Sequence, residues 1–287
     1  MPIAHSEVAV AAVSGIIYVE GGSLAGHMAL EFNEAYDPVN HLWRDRAPLP
    51  RPLTHLGVAG LNGKLYVIGG FSDPVKDHVG AVDTAYEYSP ATDSWRELAH
   101  MKSPRGSVGV AALNGKIYAV GGRGLDLMTV DTNEVYDPVA NQWTELAALP
   151  RARDHLAVVA AGGKIHAIGG RFGSSRDNTD MHDIYDPIAN TWQPGPPLPT
   201  PRSSVAAALY RGLIVVDGGE CNGGVTFNQN EAYDLKAAHW TTLATMPAGR
   251  HGFGAAAVGD TLYFAGGALG CGGGGLTNEL LTFRLAN

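Results

Sequence analysis

The chain is poor in charge, and the charge it has leans acidic. Asp, Glu, Lys and Arg make up 17% of its 287 residues, with 28 acidic and 20 basic side chains and a net charge of −8. No nucleic-acid partner is expected, because phosphate binding needs clustered Lys and Arg. Long apolar runs are lacking too. The best stretch, VAVAAVSGIIYV from Val8, falls short of the roughly 18–20 residues that span a bilayer and is broken at Ser14 and Gly15. No membrane partner is expected. The start, MPIAHSEV, has no basic segment followed by an apolar core, so no signal peptide is expected and the protein is expected to be soluble. The compartment, cytoplasmic or exported, stays open. Cysteine is limited to Cys221 and Cys271. Glycine, at 38 residues, is abundant, and with the low charge it suits an all-β chain with many turns.

The glycines are not scattered. Pairs begin at Gly21, Gly69, Gly121, Gly169, Gly218 and Gly266, and the five tryptophans are Trp43, Trp95, Trp143, Trp192 and Trp240. From each Trp to the next glycine pair is always 26 residues, while the distance from a pair to the following Trp varies from 22 to 26. Six repeats of nearly 50 residues predict a closed array forming one domain over 1–287. Each unit reads as four short strands, a to d. In the third unit these are VGVAAL (108–113), KIYAV (116–120), NEVYDP (133–138) and QWTELA (142–147), with an Asn-Gly hairpin turn between the first two.

These units resemble Kelch repeats over essentially the whole chain. The resemblance rests on the paired glycines, an aromatic in strand c (Tyr36, Tyr86, Tyr136, Tyr185, Tyr233, Phe283) and the spaced Trp. It implies a six-bladed β-propeller with four-stranded blades around a central channel. The paired glycines are expected where strands crowd and a Cβ would clash. The 26- and 22-residue steps place a further Trp before Met1 and after Asn287, so the last blade is expected to lack its outer strand and to expose the edge NELLTFRL (278–285). Such an edge invites pairing with another chain, including self-association. MPIAHSEV also matches MPAGRHGF (246–253) in register, as if Met1 were internal to a longer chain.

In such blades the b–c and d–a connections share one face, and the b–c loops are where lengths vary, so binding is expected there. Two positions per blade should point to the channel mouth. The first gives Glu7, His55, Ser107, His155, Ser204 and Gly252, with His251 beside it; the second gives Ser23, Phe71, Arg123, Arg171, Glu220 and Ala268. The candidate binding residues are Glu7, His55, Phe71, Ser107, Arg123, His155, Arg171, Ser204, Glu220 and His251. Their charge is mixed, unlike the Arg-rich mouth of the Kelch domain in a redox-sensing ubiquitin-ligase adaptor. Arg51, Arg105, Arg153, Arg202 and Arg250 recur beside the ring, with His5 in the first blade, and are expected to brace the structure.

The reading favoured is a binding module for a small polar or anionic ligand or a partner's loop. The alternative is an enzyme acting on a sugar or sugar acid, as the resemblance to sialic-acid mutarotases implies, with Glu7 or Glu220 and Arg123 or Arg171 moving protons. A third is an assembly scaffold without a small-molecule site. No catalytic residue is assigned and no cofactor is expected. A copper-radical site like that of galactose oxidase needs a Cys–Tyr cross-link and two His that cannot be assigned here. The iron-site pattern Glu-x3-Asp-x3-His of the specifier proteins is absent. The three histidines of the ring could hold a metal, but alternate blades are expected to keep them too far apart. GCGGGG (270–275) is no nucleotide fingerprint, since no βαβ unit surrounds it. Cys221 and Cys271 stand in loops of adjacent blades, and both a disulfide and two thiols remain open.

Overall fold

The computed structural model describes residues 1–24, 28–72, 80–220 and 223–286. Among them are 23 strands, two single-turn 3-10 helices and no α-helix. The strands form five four-stranded sheets and one three-stranded sheet, each an antiparallel meander in chain order. This is the six-bladed propeller, with a last blade of three strands. Of the two cysteines, Cys221 lies outside the described residues, and Cys271 opens the 3-10 turn Cys271–Gly273.

The innermost strands are Ala9–Val13, Gly57–Leu61, Gly109–Leu113, Ala157–Ala161, Ala206–Tyr210 and Gly254–Val258. Their small residues suit the crowded axis. A Cβ on Gly109 would lie 2.1 Å from Cγ2 of Val158 in the next blade. The a–b hairpin turns as the Asn-Gly pair requires, with φ of 51° at Asn114 and 76° at Gly115. The paired glycines are needed for the reason expected. Gly121 has φ +63°, and a Cβ there would sit 2.6 Å from the Arg153 carbonyl oxygen of the next blade.

Toward the outside, each Trp of strand d lies directly opposite a Tyr of strand c. The pairs are Tyr36–Trp43, Tyr88–Trp95, Tyr136–Trp143, Tyr185–Trp192 and Tyr233–Trp240. Their rings stand 4.9–5.3 Å apart. The expectation of Tyr86 for the second blade is therefore corrected to Tyr88. Both tyrosines of AYEYS are buried, but only Tyr88 meets Trp95. Four of the indoles also donate to a carbonyl of the preceding blade's linker: Trp95 to Ala47, Trp143 to Ala99, Trp192 to Ala147 and Trp240 to Pro196. One side chain thus covers its own blade and ties it to its neighbour.

Arg105, Arg153, Arg202 and Arg250 are fully buried. Each binds a carbonyl in or just after strand b of its own blade and a carboxylate: Glu134, Asp183 and Glu231 within strand c, and Glu279 just before it. Their own carbonyls accept from the second glycine of the preceding blade in Gly70→Arg105, Gly122→Arg153, Gly170→Arg202 and Gly219→Arg250. They brace two blades at once. Arg51 does not belong to the set: Leu53 holds that position, and Arg51 donates to Ser72 Oγ. First and last blades are joined by Glu7 N donating to Gly252 O at 2.6 Å, Gly267 N to His5 O at 2.9 Å, and the Met1 amine to Asn278 O at 2.6 Å.

Candidate functional site

At the end of the channel where the d–a linkers enter the inner strands, the chain passes through the left-handed region once per blade. Glu7, His55, Ser107, His155 and Ser204 have φ between 51° and 57°, and Gly252 has 61°. Non-glycine residues adopt this conformation at a cost, and such strain persists only where the surroundings hold it. Here a belt of backbone bonds holds it. Five of the six N–H groups donate to the carbonyl of the same position one blade back: Glu7 to Gly252, His55 to Glu7, Ser107 to His55, His155 to Ser107 and Ser204 to His155, at 2.6–3.2 Å. The six residues line one axial cavity of about 110 Å³, with Val and Ala side chains below it.

The second set of positions comes to the same place through single backbone bridges. Gly106 pairs with Arg123, Asp154 with Arg171, Thr54 with Phe71 and His251 with Ala268. The ten candidates converge, but in two roles. Phe71 is fully buried and meets the His55 ring edge-on at 5.6 Å, so it supports the ring. His251 is 1% exposed and links Glu7 to the loop carbonyl of Gly270 at 3.0 Å. Glu7, Arg123 and Glu220 keep about an eighth to a seventh of their side-chain surface.

Glu7 sits between two histidines. Its Oε2 is 3.2 Å from His55 Nε2 and its Oε1 is 3.4 Å from His251 Nδ1. Gly252 is glycine because a Cβ would lie 2.6 Å from that Oε1. Burial opposes ionisation of Glu7, but the neighbouring histidines outweigh it and hold the carboxyl well below the usual range. Burial also opposes charge on His251, yet its bond to Glu7 and the charges of Glu7 and Glu220 raise it above the usual value. His55 goes the other way. Burial, together with His155 and Arg171, overcomes the pull of Glu7 and lowers it to about 3, so the ring is neutral at pH 7.

On the opposite side Arg171 donates to Asp154 Oδ1 at 3.0 Å, to Glu220, and to His155 Nε2 at 3.1 Å. His155 Nδ1 is 2.6 Å from Asp154 Oδ1, and Ser107 Oγ is 3.2 Å from its Nε2. Arg123 stands 3.6 Å from Asp154 Oδ2 and donates to Leu127 O. Ser204 Oγ donates to Glu220. Asp154, which joins both arginines to His155, was not among the residues singled out from sequence. It precedes the ring position, where other blades carry Ser6, Thr54, Gly106, Ser203 and His251. Only a comparison of that neighbouring column across the repeats would have marked it. The expectation that alternate blades hold the three histidines too far apart for one ion is overturned for two of them only. The His55 and His155 rings are 5.2 Å apart and gather with Glu7, a group that does not include His251.

A closed ring of Kelch-type blades with a polar, side-chain-filled mouth defines the class. The Kelch motif model matches residues 52–102, 104–150, 152–199 and 201–247, and the chain belongs to the Kelch-repeat family. It is 35% identical over 107 residues to Kelch-like ECH-associated protein 1A of Danio rerio, covering 37% of this chain and 17% of that protein. It is 32% identical over 123 residues to Kelch-like protein 35 of Mus musculus, covering 43% and 20%. The chain thus spans about a fifth of the length of these relatives. The solved structure of YjhT superposes with a TM-score of 0.84 at 18% identity, over 99% of this chain and 96% of that one. That likeness concerns the fold.

Proposed function

We propose that the channel mouth binds a small polar ligand, with the b–c loops as its rim. The observation that carries this is the convergence of six blades on one cavity whose ionic groups nearly cancel. Glu7, Asp154 and Glu220 face Arg123, Arg171 and His251. Such a site offers many donors and acceptors and little net field. It suits a polyhydroxylated or zwitterionic molecule better than a strongly acidic peptide. A protein loop is the other occupant in view; the Danio rerio relative is by name an ECH-associated protein. The open strand of blade six would offer a partner chain a second surface.

An enzymatic reading has one specific support. Asp154 fixes His155 at 2.6 Å, and Arg171 lies beside both that histidine and Glu220. An oriented imidazole next to a carboxylate–guanidinium pair is equipped to move a proton on a sugar or sugar acid. A thermal-shift series with neutral sugars, sugar acids and short acidic peptides tests both readings. A ligand at about 100 times its Kd stabilises by roughly 2.7 kcal/mol, a rise of several degrees. The shift should vanish in Arg123→Ala and Glu220→Gln. Anomer exchange of a binding sugar, followed by NMR, separates turnover from binding. No shift with any compound in any class would remove the small-ligand reading.

A further inference from the structure

We infer that Glu7, His55 and His155 form a site for one divalent transition-metal ion on the propeller axis. A Glu oxygen and one nitrogen from each histidine lie within 4.8 Å of one another, although the residues come from blades one, two and four. A mixed two-nitrogen, one-oxygen set suits Zn²⁺, Co²⁺ or Ni²⁺ rather than Mg²⁺ or Ca²⁺, which prefer oxygen alone.

The surroundings of the two histidines support ligation independently of that spacing. Each imidazole is held at Nδ1 by an oxygen of the residue just before it: His55 by Thr54 Oγ1 at 3.1 Å, His155 by Asp154 Oδ1 at 2.6 Å. The other nitrogen of each meets polar groups of the cavity wall: His55 Nε2 is 3.2 Å from Glu7 Oε2, and His155 Nε2 is 3.1 Å from Arg171 Nη2. Ligating histidines are oriented in this way, most often by a carboxylate or carbonyl on the second nitrogen. Glu7 is held in turn through its other oxygen by His251 Nδ1 at 3.4 Å. The Cα positions are fixed by the belt of backbone bonds, so the donors stand on rigid structure.

An ion at His155 Nε2 would compete with Ser107 Oγ, 3.2 Å away, and with Arg171 Nη2, 3.1 Å away. Arg171 has other partners in Asp154 and Glu220. The three carboxylates near the axis exceed the two guanidiniums, so an added cation meets a site that is slightly negative when His251 is neutral and near balance when it is charged. Three protein ligands leave one position open toward the cavity, as in sites where a metal holds a water or a ligand group.

The test is titration of chelator-treated protein with Co²⁺ alone, read by visible d–d absorption and by calorimetry. One ion per chain with tetrahedral-type bands is expected. His55→Gln and Glu7→Gln should each abolish the bands, and Asp154→Asn should weaken binding about 10–100-fold. His100→Ala should change nothing; that exposed histidine, beside Asp83 and Glu97, is the surface site an adventitious ion would use. Near-ultraviolet circular dichroism establishes that each variant is folded, and His155→Gln replaces any that is not. No binding, or binding lost with His100 and kept without His55, overturns the assignment. Because Co²⁺ is the only probe, the result stands apart from whether any sugar binds.

Discussion

Leu53 and Tyr86 share one buried apolar cluster in blade two, at the two positions that hold an arginine and a carboxylate in blades three to five. In those blades the pairs are Arg105–Glu134, Arg153–Asp183 and Arg202–Glu231; in blade one they are His5 and Glu34, and in blade six Leu281 takes the strand position while Arg250 pairs with the exposed Glu279 two residues earlier. In blade two both members are replaced together, which leaves no buried charge of that pair without a partner. Leu53→Arg alone should destabilise the protein by about 3–5 kcal/mol, the cost of a buried charge left unpaired. Adding Tyr86→Glu should recover at least about 1 kcal/mol of that loss, a coupling measurable by a double-mutant cycle in urea. Strictly additive effects would show that the two positions do not communicate.

Glu20 ends strand b of blade one fully buried, opposite Asn33, and among the described residues neither of its oxygens has a hydrogen-bond partner. Burial raises its pKa well above the usual range. A carboxyl held protonated in the fold but ionised when unfolded contributes stability below about pH 4.5, and that contribution is lost as pH rises. Glu20→Gln should therefore match the parent protein near pH 4 and exceed it increasingly toward pH 8. A constant difference across that range would count against the buried acid.

Blade four carries His166 and His182 where other blades have a tyrosine such as Tyr118 and an asparagine such as Asn133. The rings meet at 2.9 Å, and His182 Nδ1 takes over the linker bond to Pro196 O. Burial lowers both to about 4, reinforced at His166 by its neighbour. Their folded pKa lies below the unfolded value of about 6.5, so stability falls as pH drops from there toward 4. Each histidine costs up to about 1.4 kcal/mol per pH unit in that window. His166→Tyr should flatten the acid limb of the melting profile. An unchanged slope between pH 6.5 and 4 would assign that limb to other groups.

The architecture was legible because the repeat fixes backbone position. A constant Trp-to-glycine distance sets the strands, and the column fourteen residues before each glycine pair located the left-handed ring. What varies from blade to blade was not legible. Asp154 appears once in its column, and Tyr86 and Tyr88 both fit an aromatic slot until Trp95 chooses between them. Glu20 reads as a polar strand end until its burial is seen. The approach of His55 and His155 depends on how narrow the inner ring is, which spacing along the chain does not encode.

Among the described residues blade six has three strands, and its strand c shows what a strand d covers elsewhere. Its strand c, Leu280–Phe283, is half-buried to exposed, whereas four of the five strand-c residues are buried in blades one, two, three and five. The sister blades define the vacant place. A Trp there would cover Phe283, as Trp143 covers Tyr136, and its indole would donate to Ala244 O, as Trp143 does to Ala99 O. A cavity of about 100 Å³ lies at that spot, lined by Ala244, Met246, Leu281 and Phe283. Appending a turn and a copy of residues 141–146 after Asn287 should fill it. The expected result is a rise of several degrees in Tm, since covering one large aromatic stabilises by about 1.5–3 kcal/mol. Changing the Trp of the appended strand to Ala should remove most of the gain. Any self-association of the parent protein through this edge, followed by sedimentation, should be lost in the extended chain. An extended chain that melts with the parent and associates to the same degree would mean that the edge of blade six is already satisfied by its own side chains.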